Sequence, residues 1–235
     1  MHRWDVTAKE AIEIQKELRD HVKIQPFEDL NSIHYIAGAD VSMNLYSTTV
    51  YAGFVVLAYP TLEIVAHAVV QDEIHFPYIP GLLSFREIPS LLKAWEKLKK
   101  ESPKFIPDVI IVDGIGIAHP RRLGIASHLG VVLDMPTVGC AKSVLTGVYD
   151  EPEFEAGSSS YLFDSSNKKE IIGAALRTKT IGDRAVEPVF ISPGNKINLE
   201  DSLTLIKSCV RKYRLPEPTR LAHEMVNRYR RKEIV

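Results

Sequence analysis

Apolar residues near the start of the chain recur at the spacing of an amphipathic helix. They are Ala11, Ile14, Leu18 and Val22. Just before them, Thr7-Ala8-Lys9-Glu10 is a capping-box sequence, whose Thr and Glu side chains can bond the first free amides of a helix. Pro26 ends the pattern, because proline lacks the amide donor that a helix needs. The chain is therefore predicted to open with a helix.

Apolar runs predict three strands next, at residues 35–41, 49–58 and 63–70. Only the short turn Tyr59-Pro60-Thr61 separates the last two runs, and a connection this short joins strands that run in opposite directions. The three runs therefore predict an antiparallel meander.

A stiff loop and a helix are predicted after the meander. Phe76-Pro77-Tyr78-Ile79-Pro80-Gly81 contains two prolines and a glycine, which fix an irregular backbone. We place Pro89 in the first turn of the following helix, where a missing amide costs nothing. Its buried stripe is predicted at Leu91, Leu92, Trp95 and Leu98.

The middle of the chain predicts a parallel crossover. Residues 109–112, Val-Ile-Ile-Val, are a β-branched apolar run typical of a strand that is covered on both faces, and Asp113-Gly114 ends it. A helix is predicted at residues 122–133 and a short buried strand at 137–140. Strand, helix and strand in this order favour two parallel strands.

The last third of the chain predicts further strands and two closing helices. Residues 151–160 contain a glycine and three serines and are interpreted as a surface loop within one domain. Strand patterns resume at 171–178 and 189–191. Helices are predicted at 199–213 behind an Asn198 cap, and at 218–232 behind Glu217.

The order of all these elements predicts an α/β fold, in which helices flank a mixed sheet made of an antiparallel meander plus parallel strands. The ribonuclease H-like fold has this order. In such sheets, functional residues gather at the carboxyl ends of the parallel strands. We expect a single catalytic domain over residues 1–235.

The composition excludes several classes of protein. Of the 235 residues 45% are hydrophobic, enough for a substantial core, yet no stretch approaches the roughly 18 uninterrupted apolar residues of a membrane span. Charged residues follow Met1 where a signal peptide would be apolar. Cys140 and Cys209 lack the spacing of a zinc site and are predicted to be buried thiols. We therefore expect a cytoplasmic protein that contacts no membrane. A monomer is our expectation for its oligomeric state.

Charge is unevenly distributed, although the formal net charge is only −1. Residues 207–235 hold 9 Lys/Arg and 3 Asp/Glu, whereas the rest of the chain holds 20 Lys/Arg and 27 Asp/Glu. This basic segment could contact phosphates, and a solvated helix face is an equally good interpretation.

Three carboxylates are the candidates for metal binding. Asp40 closes the first predicted strand, and Asp113 closes the buried 109–112 strand. Either one alone is typical of a turn or a helix cap, but two on neighbouring strands favour a divalent cation between them. Glu87 would be the third ligand, although Ser84-Phe85-Arg86-Glu87 is also a capping-box sequence. Carboxylates without a His or Cys cluster indicate Mg²⁺ or Mn²⁺ and phosphodiester chemistry.

Other candidates lie in the loops near these carboxylates. Gly114 and Gly116 allow a backbone to approach a ligand closely, but such pairs are often simple turns. His119, Arg121 and Arg122 could hold phosphates, or be ordinary loop residues. Lys142 follows the 137–140 strand, and by itself it is typical of a surface lysine.

Tyr78 and His223 are candidates in other parts of the chain. Tyr78 lies between two prolines and has little freedom to fold back into a core, so it could stack on bases or wedge between them. Packing of the loop against the next helix is the alternative. His223 lies on the polar side of the last predicted helix and, taken alone, is typical of a surface histidine.

Taken together, the motifs resemble the endonuclease V family, with a similarity that runs from about Asp5 to Arg230. The motifs are Gly38-Ala39-Asp40, Pro77-Tyr78-Ile79-Pro80-Gly81, Phe85-Arg86-Glu87, Asp113-Gly114-Ile115-Gly116, His119-Pro120-Arg121, Gly124-Ile125-Ala126-Ser127-His128 and Pro136-Thr137-Val138-Gly139-Cys140-Ala141-Lys142-Ser143. Each is weak alone, but their order and number are very specific.

The resemblance implies roles for individual residues. Asp40, Glu87 and Asp113 would be the metal-binding catalytic carboxylates, with Lys142 and His223 near the scissile phosphate. Tyr78 would belong to a wedge that fills the gap left by an extruded base, and backbone around Gly81, Gly114 and Gly116 would line the lesion pocket. The DNA-binding residues would also include Pro77, Ile79 and Pro80 of the same loop, and His119 and Arg121. This sequence departs from the family at Ile115, where relatives usually have a polar residue.

The resemblance also implies a Mg²⁺-dependent DNA repair endonuclease that recognises deoxyinosine and cuts the second phosphodiester bond on the 3′ side. Inosine-containing RNA is left open as a second partner, and Mn²⁺ as a substitute metal. Two alternatives belong to other classes: a non-catalytic nucleic-acid-binding module, and a metal-dependent hydrolase of a small phosphorylated molecule. The module gives no reason for three carboxylates, and the hydrolase gives none for the loop that carries Tyr78.

Overall fold

A mixed eight-stranded sheet forms the centre of the protein in a computed structural model, which describes residues 2–44 and 47–234. Its strands are β1 (Tyr35–Met43), β2 (Thr49–Ala58), β3 (Ile64–Glu73), β4 (Val109–Val112), β5 (Thr137–Ala141), β6 (Ser159–Phe163), β7 (Ile171–Leu176) and β10 (Val189–Asn195). The short strands β8 (Thr180–Ile181) and β9 (Arg184–Ala185) form a separate hairpin. The strand order in the sheet is β3-β2-β1-β4-β5-β10-β7-β6.

Strand directions divide the sheet into three regions. β1, β2 and β3 pair antiparallel, which confirms the predicted meander. β4 runs parallel to both β1 and β5, which confirms the predicted crossover. β10 pairs antiparallel with β5 and β7, and β6 pairs antiparallel with β7. The carboxyl ends of the central strands β1, β4 and β5 therefore lie side by side. We call this row of strand ends the edge of the sheet.

Helices cover both faces of the sheet. They are α1 (Ala8–Leu18), α2 (Leu83–Glu101), α3 (Ile125–Leu133), α4 (Leu199–Cys209) and α5 (Glu217–Arg230). Residues of α2 and α3 share one buried core with alternate positions of β1, β2 and β4, and residues of α4 and α5 share a second core with the other positions. No helix in residues 2–44 or 47–234 has the length and apolarity of a membrane span.

Several local predictions are confirmed in detail. Thr7 accepts from the amide of Glu10, and Glu10 bonds back to the amide of Thr7, so the capping box forms. The side chain of Asn198 caps α4. Both Cys140 and Cys209 are buried free thiols.

Several predicted boundaries are wrong. β1 continues to Met43, so Asp40 lies within the strand and does not close it, and β10 continues from the predicted 191 to Asn195. α2 begins at Leu83, so Pro89 lies inside the helix and Ser84 bonds His128 and does not cap. α3 begins only at Ile125, and α4 ends at Cys209, before the predicted residue 213. Strand β6 begins within the stretch predicted as a loop and is the last strand of the sheet.

Candidate active site

Asp40, Asp113 and His223 lie together at one edge of the sheet. One ligand atom of each side chain lies within 4.8 Å of the other two. Asp40 is part of β1 and Asp113 follows β4, and these strands are parallel neighbours. The amide of Asp113 donates to the carbonyl of Ala39 at 3.0 Å, which holds the end of β4 against β1 next to Asp40. The aspartates therefore meet, as the strand order predicts.

Close packing of α5 on the sheet brings His223 to this position. A Cβ atom on Gly38 would lie 1.8 Å from the carbonyl oxygen of Pro218, so only glycine permits this approach. The next turns of α5 continue across β2, where a Cβ atom on Gly53 would lie 3.2 Å from Val226. As a result, Nδ1 of His223 lies 2.8 Å from Oδ2 of Asp40.

Charges around the aspartates partly balance one another. The hydrogen bond that His223 donates to Asp40 raises the pKa of His223, because it favours the protonated ring. Burial and the charge of Asp40 raise the pKa of Asp113. Lys142 opposes that effect, since its Nζ lies 2.5 Å from Oδ2 of Asp113. Lys142 and His223 therefore lie beside the carboxylates, although each alone is typical of a surface residue.

Glu87 on α2 lines the cavity with Asp113, and the charges of Asp40 and Asp113 act on it, but it is not part of the group of ligand atoms that lie within 4.8 Å of one another. Burial, together with repulsion from Asp40 and Asp113, raises its pKa to about 8. Arg86 offsets this only in part, and its guanidinium donates to the carbonyl of Phe76 at 2.6 Å. Three carboxylates that repel one another in a partly buried place fit a hard divalent cation, which would remove the repulsion and accept their oxygens as ligands.

Tyr78 is exposed at the tip of a loop, residues 77–81, that lies next to the carboxylates. Its side chain is 69% exposed, so packing of Tyr78 against the following helix, the alternative from the sequence, is not what the structure has. Beneath it, Ile79 packs with Phe76 and Phe85. The loop therefore has a fixed base and a free aromatic tip.

Three side chains hold this loop through one atom, the carbonyl oxygen of Gly81. Gln15 donates to it at 3.0 Å, Arg121 at 2.8 Å and Nε2 of His119 at 2.9 Å. The other ring nitrogen of His119 accepts from the amide of Arg121. Both nitrogens of His119 are thus occupied in a buried, neutral ring, whose pKa burial lowers to about 4. In contrast, Arg122 pairs with Asp164 and Glu170.

A cavity of about 230 Å³ connects the loop to the carboxylates. Its wall includes Tyr78, Pro80 and Gly81 on one side and Glu87, Asp113 and Gly114 on the other. Ile115 contributes an apolar side chain where a polar one is usual in the family that the motifs resemble. Gly116 is not part of the wall: it packs against β10, where a Cβ atom would lie 1.9 Å from the carbonyl of Pro193.

Sequence reasoning missed several residues of this region. Gln15 is buried and bonds Gly81, Leu123 and Arg121, and the signal was available because it is a polar residue on the apolar stripe of α1. The cavity wall also includes Leu123, Ile125 and Leu145, which no local motif distinguishes from ordinary core residues. A larger cavity of about 580 Å³ lies elsewhere, between Trp4 and Arg86.

These features define a ribonuclease H-like α/β protein in which an acidic group with a histidine, Asp40, Asp113 and His223, could hold a metal ion beside a small, mostly apolar cavity. Residues 16–224 match the family model described as Endonuclease V. The endonuclease V of Gloeobacter violaceus is 46% identical over 233 residues, which cover 98% of this chain and 89% of that protein. The chain therefore belongs to the Endonuclease V family and is an endonuclease.

Solved structures of the same family match the fold. The crystal structure of endonuclease V from Streptomyces avermitilis has a TM-score of 0.87 and 38% identity, covering 98% of this chain and 96% of that one. Endonuclease V from Ciona intestinalis, solved in complex with a 24mer DNA containing an inosine followed by a ribo-adenosine, has a TM-score of 0.82 and 28% identity, with 96% and 98% covered.

Proposed function

We propose that this protein is a Mg²⁺-dependent endonuclease that recognises deaminated bases, above all inosine, in DNA. It hydrolyses the second phosphodiester bond on the 3′ side of the lesion and leaves a 3′-hydroxyl and a 5′-phosphate. One observation carries the proposal: a single cavity is lined by the exposed aromatic loop at one side and by Glu87 and Asp113 at the other. A base held there would lie next to the carboxylates.

Asp40, Asp113 and Glu87 would hold the cation. Their oxygens are hard ligands, which suits Mg²⁺ or, as a substitute, Mn²⁺. When bound, the cation supplies Lewis-acid activation of a water and stabilisation of the departing 3′ oxygen. The raised pKa of Glu87 supports this, because burial and the repulsion from Asp40 and Asp113 that raise it both disfavour the charged carboxylate, which a divalent cation would stabilise.

Lys142 and His223 act beside the carboxylates. Lys142, bonded to Asp113, is placed to neutralise charge that develops on the phosphate. His223 is held by Asp40 through Nδ1, and its exposed ring can orient a water at the phosphate without serving as the obligatory base. Loss of either residue should slow cleavage less than loss of a carboxylate.

Recognition of the base depends on the 77–81 loop and the backbone around Gly81 and Gly114. Extruding a base costs a few kcal/mol, and less for a weakly paired deaminated base, which favours the lesion. Tyr78 replaces the stacking that the extruded base gives up. His119 and Arg121 contribute by fixing the loop through the Gly81 carbonyl. Ile115 gives the base an apolar contact.

A nicking assay on an inosine-containing duplex tests the proposal. Cleavage should require Mg²⁺ or Mn²⁺ and stop in excess chelator. Asp40→Asn and Asp113→Asn should each lose cleavage by orders of magnitude while folding normally, because they remove ligand charge without changing shape. Asp150→Asn, at an exposed carboxylate, is the matched control and should cut like the parent. Undiminished cutting in chelator or in either site variant contradicts the proposal.

RNA is a second candidate substrate. The Ciona intestinalis complex contains a ribonucleotide directly after the inosine, so a 2′-hydroxyl is present next to the lesion in a bound substrate of that relative. Single-turnover rates on matched DNA and RNA strands, each with one inosine, decide between the two. A rate at least tenfold higher on RNA would reassign the substrate without changing the chemistry.

A further inference from the structure

The β8–β9 hairpin lies at the same edge of the sheet as the carboxylates. It connects β7, which ends at Leu176, to β10, which begins at Val189. β10 runs antiparallel to β5, and Phe190 pairs with Ala141, the last residue of β5. The hairpin therefore leaves the sheet where β5 ends, next to the ends of β1 and β4. No part of the proposed mechanism uses it.

Buried polar contacts fix the base of this hairpin. Arg177 is 4% exposed, and its guanidinium donates to the carbonyls of Glu153, Pro152 and Val186 and to the carboxylate of Glu151. A buried guanidinium with all these partners is a stiff anchor, because breaking any of the bonds leaves a buried charge poorly solvated.

Arg214 links the hairpin to the catalytic lysine. It donates to the carbonyls of Glu187 and Pro188 at the end of the hairpin, and to the carbonyl of Lys142, at 2.7 to 2.8 Å. Its own carbonyl accepts from Thr178 at the start of the hairpin. Because Lys142 in turn bonds Asp113, the position of the hairpin relative to the metal site is set by only two intervening residues.

The hairpin tip and the neighbouring Lys212 project into solvent. Ile181 is 58% exposed, and Arg184 and Lys212 are exposed too. Among the described residues, the side chains of Arg184 and Lys212 have neither a hydrogen bond nor an ion pair. Lys179 fixes the two segments to each other by donating to the carbonyl of Lys212 at 2.7 Å. We call Ile181, Arg184 and Lys212 the hairpin ridge.

We propose that the hairpin ridge binds the sugar–phosphate backbone of the cut strand on the 3′ side of the nick. This rests on the proposed function. The cavity for the base is lined from the face of the sheet that α2 and α3 cover, whereas Arg214 precedes α5 on the other face. A strand that runs from the cavity past Asp113 and Lys142 therefore reaches the hairpin next.

The chemistry of the ridge fits a backbone contact. Its two cations are unpaired within the described chain, so a phosphate can bind them without breaking an existing ion pair. Lys and Arg contacts to phosphates position a nucleic acid without reading its sequence. Such a contact suits an enzyme whose specificity lies in one base, because the sequence beyond the nick is arbitrary.

The test measures affinity for inosine duplexes in which the strand 3′ to the nick is either long or cut back to the nick. Binding is followed by fluorescence anisotropy in chelator, which prevents cleavage. On the long duplex, Arg184→Ala/Lys212→Ala should bind more weakly, and its plot of log affinity against log salt should be less steep by about 0.7 to 0.9 per lost contact. On the shortened duplex, parent and variant should bind equally.

Two further variants serve as controls. Lys100→Ala removes an exposed cation near the far end of α2 and should change the affinity for neither duplex. Asp183→Asn removes a negative charge from the turn of the hairpin and should strengthen binding of the long duplex only.

Equal affinity of parent and double variant for the long duplex would overturn the inference, and so would an equal loss on both duplexes. The proposed function is judged separately by Mg²⁺-dependent nicking by the parent protein. If the parent nicks and the double variant behaves like it on the long duplex, the ridge contact alone is wrong.

Discussion

At the scale of residues, the carbonyl oxygen of Gly81 explains how an exposed aromatic can be held in a defined place. Gly81 has φ +80, a conformation that favours glycine, and this turns its carbonyl toward Gln15, His119 and Arg121. Three donors bind one acceptor in a loop that also has two prolines, so the backbone that carries Tyr78 has little conformational freedom. Tyr78 can then meet a base without paying much ordering entropy.

Tyr78→Ala should impair recognition of the lesion more than the chemical step. A stacked base contributes about 1–3 kcal/mol, so we expect binding of an inosine duplex to weaken by that amount and discrimination against undamaged DNA to fall. Single-turnover cleavage should partly recover at saturating enzyme. Tyr161→Ala, at a half-exposed tyrosine on β6, is the matched control. Unchanged affinity and selectivity in Tyr78→Ala would mean that this loop does not read the lesion.

His119 makes a prediction about pH and stability. In the folded protein its pKa is about 4, whereas the unfolded chain binds a proton near 6.5. Protons therefore favour unfolding, and the stability that neutral His119 contributes is present above pH 6.5 and is lost as pH falls toward 4. The difference corresponds to about 3 kcal/mol.

Urea unfolding of the parent and of His119→Gln between pH 7 and 4 measures this contribution. The curve of unfolding free energy against pH should be flatter for the variant, by about 3 kcal/mol over the range. Glu87 acts with the opposite sign, because a raised carboxyl pKa favours the folded state as pH falls. The comparison of two curves, measured in saturating Mg²⁺, cancels that effect. Parallel curves would show that His119 is not held neutral.

Residues whose position follows from the local strand pattern were easier to predict than residues whose role depends on a contact with a distant part of the sequence. Asp113 follows an apolar strand and Asp40 lies in the second half of its parallel neighbour, so the sequence indicates where their side chains gather. Gln15 could not be assigned a role in the same way, because its contact with Gly81 joins positions 66 residues apart. Its polar side chain on an apolar stripe showed that it needed a buried partner, without showing which one.

At the scale of elements, local signals failed where tertiary contacts outweigh them. Ser84-Phe85-Arg86-Glu87 and Pro89 both indicate a helix start, yet Ser84 bonds His128, and the burial of Phe85 and Ile88 extends α2 back to Leu83. Strand β6 was missed because an edge strand lacks a regular buried alternation, and only its Leu162 is fully buried. β2 and β4, which are buried centrally, were predicted to the residue.

Gly38→Ala should disturb both stability and cleavage. Its Cβ would lie 1.8 Å from the carbonyl of Pro218, so α5 has to shift on the sheet. Overpacking of this kind costs about 1–3 kcal/mol, and a shift of α5 moves His223 away from Asp40. We expect a lower free energy of unfolding in urea and a slower single-turnover nick.

His223→Gln separates the two effects of that variant. Its side chain is half exposed, so the substitution should slow cleavage with little change in the free energy of unfolding. Normal stability together with a normal nicking rate in Gly38→Ala would show that α5 does not need its close approach to β1.

At the scale of the whole molecule, the residues proposed to recognise the base and those proposed to act on the phosphate approach from opposite faces of the sheet. The cavity and the 77–81 loop belong to the side of α2 and α3, while His223 and Lys142 approach the carboxylates from the other side. Glu87 and Asp113 belong both to the cavity, which they line, and to the proposed metal site. A base in the cavity and a phosphate at the cation therefore occupy neighbouring but different places.

This separation predicts where the nick falls. If the extruded base fills the cavity, we expect the strand to continue by one nucleotide before a phosphate reaches Asp40 and His223, which are not among the residues that line the cavity. The nick should therefore fall at the second phosphodiester bond on the 3′ side of the inosine, with a 3′-hydroxyl and a 5′-phosphate at the new ends. Mapping both ends on a labelled strand measures this spacing. A nick on the 5′ side, or at the bond adjoining the lesion, would mean that the cavity does not hold the base.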